Sequence, residues 1–392
     1  MNADQRLVVI GGGPAALAAV RAYRQGGGEA RVEMFSTESR PPYFRPALTK
    51  EYLRDEQVAD ELPMEAGSWY RENGVELHLR TPVEALEPGE LRVRAGGREI
   101  TYDACLLATG SEPVRPPFAG TGESGILTLR EVEDADRLKG LLSAGERAVV
   151  VGSGFIGCEA AASLATTGVE VTLVSQEETP QRERLGPEAG ERIRRWLTSL
   201  GVELRLGTQV QSIEPGGEGY TVALAGEEAI GANAVLLGTG VRPRTDLARQ
   251  AGIEVAEGGI LTDERFQTSA EGVFAAGDCA LATNAAAGRR LYVEHWNEAE
   301  TQGGVFGSAL AGGDAAWNTV PNFWSEIGPH SLEYSAWGDG WNEARFAERG
   351  GEAFAVYYGR DGTCVGVLTY QADDDLERGR SLVENGEPLP AV

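Results

Sequence analysis

Val8–Ala16 reads VVIGGGPAA, and Val149–Gly157 reads VVVGSGFIG. In each, a short apolar run meets a glycine-rich turn, and alanine and other small residues follow. That is a strand, a tight turn and a helix, written twice. The physical demand on such a turn is specific: the first glycine permits the bend, the second lets the backbone approach a pyrophosphate, and the last small residue lets helix and strand pack. Gly11, Gly13 and Ala16 take those places in the first turn, with Pro14 and Ala15 between them; Gly152, Gly154 and Gly157 take them in the second, with Phe155 and Ile156 between. A pyrophosphate would rest on the unpaired amides of the helix N-terminus, where the helix dipole favours negative charge. Two dinucleotide sites in one chain suggest an enzyme that moves electrons between two nucleotides.

A second layer repeats outside the turns. YDACLLATGSEP at 102–113 follows the first turn and ANAVLLGTGVRP at 232–243 follows the second, each an apolar strand ending in a Thr-Gly turn with proline beyond. A strand also follows each glycine helix, RVEMF at 31–35 and VEVTLV at 169–174. Alternating strand and helix signals predict a parallel sheet with added β structure. Beyond the second unit, GILTDERFQTSAEGVFAAGDCA runs an apolar strand into Gly277 and Asp278, and a helix is predicted from about Glu294 to Ala311. From Asn322 onward, short aromatic-rich segments predict a small β-containing unit with a terminal helix, joined through the linker AGGDAAWNTVP.

Composition narrows the class. A chain of 392 residues exceeds what one core usually supports, so two or three domains are expected. The apolar stretch before Gly11 is too short for a signal peptide and no run of residues could span a membrane, so a cytoplasmic location is expected. The net charge of -25 repels nucleic acid and anionic membranes. The four cysteines, Cys105, Cys158, Cys279 and Cys364, form no CxxC or CxxxxC pair, which argues against a redox dithiol. The three histidines, His78, His295 and His330, are scattered, so no metal site is expected and the cofactor chemistry should be organic.

Seven ordered motifs carry a resemblance: VVIGGGPAA, PPYFRPALTKEYL, LLATG, VVVGSGFIGCE, GTGVRP, VFAAGDCA and HWNEAETQG. Together they resemble the FAD-dependent pyridine nucleotide reductases, and within them the ferredoxin reductase branch; apoptosis-inducing factor shares the fold. The resemblance implies an α/β chain with two Rossmann-like dinucleotide-binding domains of the glutathione reductase kind and a small C-terminal α+β interface domain. FAD would occupy a discontinuous domain of residues 1–115 and 245–315, NAD(P)H a domain of 116–244, and residues 316–392 would form the interface domain.

Site roles follow from the same resemblance. PPYFRPALTKEYL matches the flavin-contacting segment, with Arg45 and Lys50 at its basic positions, and Glu159 matches a glutamate that pairs with such a lysine beside the flavin. Lys50 and Glu159 are therefore the expected catalytic pair. Asp278, after Gly277, matches the aspartate that holds the ribityl chain. Glu294, His295 and Trp296 would face the isoalloxazine from the start of their helix, whose positive end would stabilise a reduced flavin. Val83 and the turn residues Ala108, Thr109 and Gly110 complete the expected FAD site, as Gly238, Thr239 and Gly240 complete that for NAD(P)H.

A ribose-binding acid is expected about 20 residues beyond each glycine turn. The first strand ends at Ser36 with Glu38 just beyond, so Glu38 is the choice for the FAD ribose; the second ends at Ser175, followed by Gln176, Glu177 and Glu178. Glutamates there repel a 2′-phosphate and favour NADH, whereas Arg182 and Arg184 keep NADPH open. Without a dithiol, electrons should leave directly for a one-electron acceptor of the ferredoxin or rubredoxin type, although the acidity of this chain opposes an acidic partner unless a basic patch lies near the flavin. An oxidase or direct reductase of oxygen, quinone or another small molecule is a second reading. A redox-switched interaction protein of the apoptosis-inducing-factor kind is a third. Monomer and homodimer stay open.

Overall fold

Leu7, Val8, Val9 and Ile10 present no polar face, so the strand they form must be covered on both sides, as in a parallel sheet flanked by helices. The computed structural model describes residues 1–118, 125–217 and 219–392. Strand Arg6–Ile10 lies third in a five-stranded parallel sheet, ordered Val273–Ala275, Ala104–Leu107, Arg6–Ile10, Arg31–Phe35 and Val75–His78. A second five-stranded parallel sheet repeats the plan around Arg147–Val151, with Glu170–Ser175 and Glu203–Leu206 on one side and Ala234–Leu237 and Ile126–Leu127 on the other. Each unit also carries a three-stranded antiparallel sheet, starting at Val83–Glu87 in the first and Val210–Gly216 in the second. The α/β architecture with two dinucleotide-binding units is as the repeated motifs predict.

The glycine turns need their residues. Gly11 has φ +140 and Gly152 φ +105, and a Cβ on either would stand 2.0 Å from the Ala108 carbonyl oxygen or 2.3 Å from that of Gly238. Each turn is thus pressed against the end of the strand that carries the Thr-Gly motif, and only a hydrogen fits between. Helix Pro14–Gln25 begins on a proline, whose fixed φ suits the first helical position. Its Ala15 and Ala19 carbonyls lie against helix Trp296–Leu310, where a Cβ on Gly303 or Gly307 would approach them to 2.1 Å.

Two chain crossings join the units, and they run side by side. Ser111–Pro113 pairs antiparallel with Val241–Pro243. Thr109 donates its hydroxyl to the Arg244 carbonyl, and Thr239 donates its own to the Val114 carbonyl, each at 2.7 Å. The C-terminal unit is a five-stranded antiparallel sheet of Asn322–Ile327, His330–Ala336, Thr363–Tyr370, Phe354–Arg360 and Glu343–Glu348, covered by helix Asp373–Glu384.

The stretch that reads as a linker is anchored. Trp317 is fully buried in the core of the first unit, beside Phe266, and its indole N–H donates to Glu298. Burial lifts the Glu298 carboxyl from its ordinary 4.5 to about 7, against the pull of that hydrogen bond. An unfolded chain releases the proton near 4.5 and the folded chain near 7, so the folded state holds more protons in between and stability falls as pH rises across that window. Glu298→Gln keeps an acceptor for Trp317 and is expected to flatten this fall, leaving the variant more stable than the parent at pH 8. Urea unfolding at pH 5 and pH 8 measures it; equal losses in both proteins would refute the assignment.

Candidate functional site

The ends of both parallel sheets open into one cavity of about 860 Å³. Ligand pockets run to roughly 300–1,000 Å³, so this one lies near the upper end of that range. Gly11, Gly13, Pro14 and Ala15 line it from the first turn; Gly154, Phe155 and Ile156 line it from the second. A Cβ on Gly13 would meet nothing within 4 Å, so its backbone faces open space where a phosphate could rest. Ala16 and Gly152 stand back from the cavity, as does Gly157, where a Cβ would meet the Gly152 carbonyl oxygen at 2.0 Å. Their work is to shape the turns. Val83, Ala108, Thr109, Gly110, Gly277, Gly238, Thr239 and Gly240 all reach the cavity wall.

Where the two halves meet, Lys50 Nζ lies 2.6 Å from a Glu159 carboxylate oxygen, both side chains almost wholly buried. Lys50 ends a short 3₁₀ turn, and Glu159 sits in the first turns of helix Phe155–Thr166. The carboxylate is further held by the Thr49 hydroxyl at 2.6 Å, the Ser325 hydroxyl at 2.8 Å and the Glu326 backbone N–H at 3.2 Å. Three parts of the chain therefore converge on one carboxylate, and the pair forms part of the cavity wall.

Glu38 and Arg45, which the sequence assigns separately, are joined: they form a buried ion pair, and the Tyr43 hydroxyl donates to Glu38 at 2.7 Å. Asp278 accepts from the Ser111 hydroxyl at 2.7 Å and from Arg130 at 3.0 Å. His295 is extended, Glu294 lies outside the helix, and the helix starts at Trp296 rather than at Glu294. Burial lifts the Glu294 carboxyl above its ordinary range and pushes the His295 imidazole down to about 3, with the Arg184 charge adding to the second effect. His295 is thus neutral and stacks on Phe323 at 4.1 Å, while Trp296 meets Phe44 edge-on at 5.3 Å.

At the tip of the second unit, Ser175 is buried and its hydroxyl lies 2.8 Å from that of Ser153. Glu177 reaches the cavity, with its carboxylate fixed by the Ser153 hydroxyl at 2.8 Å and by the backbone N–H groups of Gln181 and Glu183 at 3.1 and 2.9 Å. Arg182 turns away to pair with Glu178 at 2.8 Å, and Arg184 lies over the Phe155 ring at 5.3 Å. All four cysteines are buried and free, and burial raises their thiols above the ordinary range.

Thr49, Ser111, Arg130 and Ser325 belong to the site, yet reading the sequence misses them. Thr49 adjoins Lys50, and Ser111 follows the Thr109-Gly110 turn, each within a motif that the sequence does single out; Arg130 and Ser325 carry no signal.

A family profile described as pyridine nucleotide-disulphide oxidoreductase matches residues 5–303. The chain belongs to that family. Within it, a rubredoxin-NAD(+) reductase of Pseudomonas putida is 32% identical over 83% of this chain and 85% of that protein. The ferredoxin–NAD(+) reductase component of an anthranilate 1,2-dioxygenase system of Burkholderia cepacia is 31% identical over 98% of this chain and 95% of that protein. The crystal structure of a covalent putidaredoxin reductase–putidaredoxin complex matches with a TM-score of 0.93 at 26% identity, covering 99% of this chain and 94% of that one. This family member is an oxidoreductase whose buried thiols are unsuited to the dithiol exchange that the family's description names. No helix among the described residues is long and apolar enough to cross a membrane.

Proposed function

We propose that this chain takes hydride from NADH onto FAD and delivers electrons singly to an iron–sulfur ferredoxin or a rubredoxin that serves an oxygenase. The observation that carries this reading is the single cavity in which both glycine turns meet at the Lys50–Glu159 pair. FAD is assigned to residues 1–115 and 245–315, NADH to 116–244, and the interface role to 316–392. The residues present fit FAD: Gly11 is pressed onto Ala108 while Gly13 faces open space, and Asp278 and the Glu38–Arg45 pair line the cavity beyond them. Bound FAD supplies a two-electron acceptor that can release its electrons one at a time.

The chain's own residues then hold and orient. Lys50, held in place by Glu159, presents a fixed amine where the two ligands meet, and the start of helix Trp296–Leu310 adds its dipole there. Hydride transfer needs alignment more than proton movement, so neutral His295 on Phe323 is read as a wall. Glu177 is placed to accept from a ribose hydroxyl and to repel a 2′-phosphate, with Arg182 turned onto Glu178.

Anaerobic titration of the yellow protein with NADH and with NADPH, followed by rubredoxin, a [2Fe–2S] ferredoxin, quinone or oxygen, tests this. The expected result is bleaching by NADH and fastest recovery with a protein carrier; faster recovery with oxygen or quinone would overturn it. Glu177→Gln is expected to lower the preference for NADH over NADPH by about tenfold, read as the ratio of kcat/KM values. An unchanged ratio would remove Glu177 from nucleotide choice.

A further inference from the structure

Helix Arg182–Ser199 is broken near its start, with Gly186 at φ 85 and ψ 166 and Pro187 directly after it. Only glycine takes that φ readily, and proline lacks the N–H that would continue the ladder. The C-terminal unit grips the turn in front of this break. The Trp341 indole N–H donates to the Arg184 carbonyl at 3.0 Å, and the buried Tyr358 hydroxyl donates to the Leu185 carbonyl at 2.8 Å. Trp341 also packs on Tyr358, with ring centroids 5.3 Å apart, and lies over the Gly186 backbone.

The grip has its own support. Asp339, two residues before Trp341, pairs with Arg289 at 2.8 Å and with Arg360 at 3.2 Å, and the Asn342 amide donates to Asp361 at 3.0 Å. What it presents to the cavity is Arg184. Among the described residues, the Arg184 guanidinium makes no hydrogen bond or ion pair; it lies over the ring of Phe155, the first residue of the second glycine helix, and lines the cavity. An unpaired guanidinium beside a helix N-terminus is matched to a bidentate anion.

We propose that Trp341 and Tyr358 are positioning residues for the pyridine nucleotide, holding Arg184 where its guanidinium takes the nucleotide's pyrophosphate. The proposal rests on NADH entering this cavity. The C-terminal unit then acts on nucleotide binding through two backbone carbonyls, without touching the ligand.

Trp341→Phe and Tyr358→Phe each remove one donor and keep a ring, so either serves if the other fails to hold FAD, as judged by the flavin absorbance. Each is expected to raise KM for NADH about 3- to 10-fold with kcat little changed. Arg184→Gln is expected to raise it about 10- to 100-fold. Adding Trp341→Phe to Arg184→Gln should then raise KM no further, because the indole acts through Arg184. A purely structural role predicts additive effects, and additivity would overturn the proposal. A parent protein bleached normally by NADH, with both phenylalanine variants matching it, would overturn the clamp alone; a parent that NADH does not bleach would overturn the proposed function beneath it.

Discussion

Glu159→Ala is expected to destabilise the FAD-loaded protein by about 3–5 kcal/mol and to slow its reduction by NADH at least about 100-fold. The stability loss follows from what the alanine abandons. The Lys50 amine is left at 5% exposure with only the Pro46 carbonyl and the Thr49 hydroxyl, each 3.2 Å away, while Ser325 and the Glu326 N–H lose their acceptor. A buried charge without its counter-ion is among the most costly single defects a fold can carry. The kinetic loss has a different origin, the collapse of a fixed charge at the wall where the two ligands would meet. A double variant, Lys50→Met with Glu159→Leu, separates them. It should recover most of the stability measured by urea unfolding, because a matched apolar pair removes both charges, yet stay slow in stopped-flow bleaching. Recovery of both would reduce the pair to a structural element.

Gly157→Ala is expected to abolish productive NADH binding while leaving FAD in place. Its Cβ would stand 2.0 Å from the Gly152 carbonyl oxygen, a backbone contact that no rotamer change relieves. The turn must open, and a displacement of about 1 Å at a binding element can lower turnover 100-fold. KM for NADH should rise by at least that factor, with the flavin spectrum and its protein-bound fluorescence unchanged. The first turn makes the comparison sharp, since its corresponding residue is already Ala16, fully buried and accommodated. A Gly157→Ala protein with parental KM would mean that the second turn does not cradle the nucleotide.

What can be read from the chain follows the range of the forces involved. The glycine turns are legible because their constraint is local: three positions, one strand end and one helix start. The Lys50–Glu159 pair is reached only through resemblance, because no periodicity links residues so distant in the chain. Arg130 and Ser325 are invisible for a related reason, and Ser111 shows no role within its motif, since each reaches the site only after separate segments have folded against one another. Trp317 reads as linker because glycine, aspartate and asparagine surround it, whereas its ring lies in the core and its N–H holds Glu298. Sequence reading starts the helix at Glu294, two residues early, because Glu294 and His295 continue its composition while the His295 backbone is extended.

The paired crossings at Ser111–Pro113 and Val241–Pro243 make one hinge-like joint between the units. Because the chain leaves the first unit and returns to it through adjacent, hydrogen-bonded strands, the second unit begins and ends at nearly one point, the geometry that lets a host tolerate an inserted domain. The reciprocal threonine bonds, Thr109 to Arg244 and Thr239 to Val114, make the same contact from each side and tie the two crossings together. The cavity is then the seam between two units built on one plan, which the paired crossing holds in register.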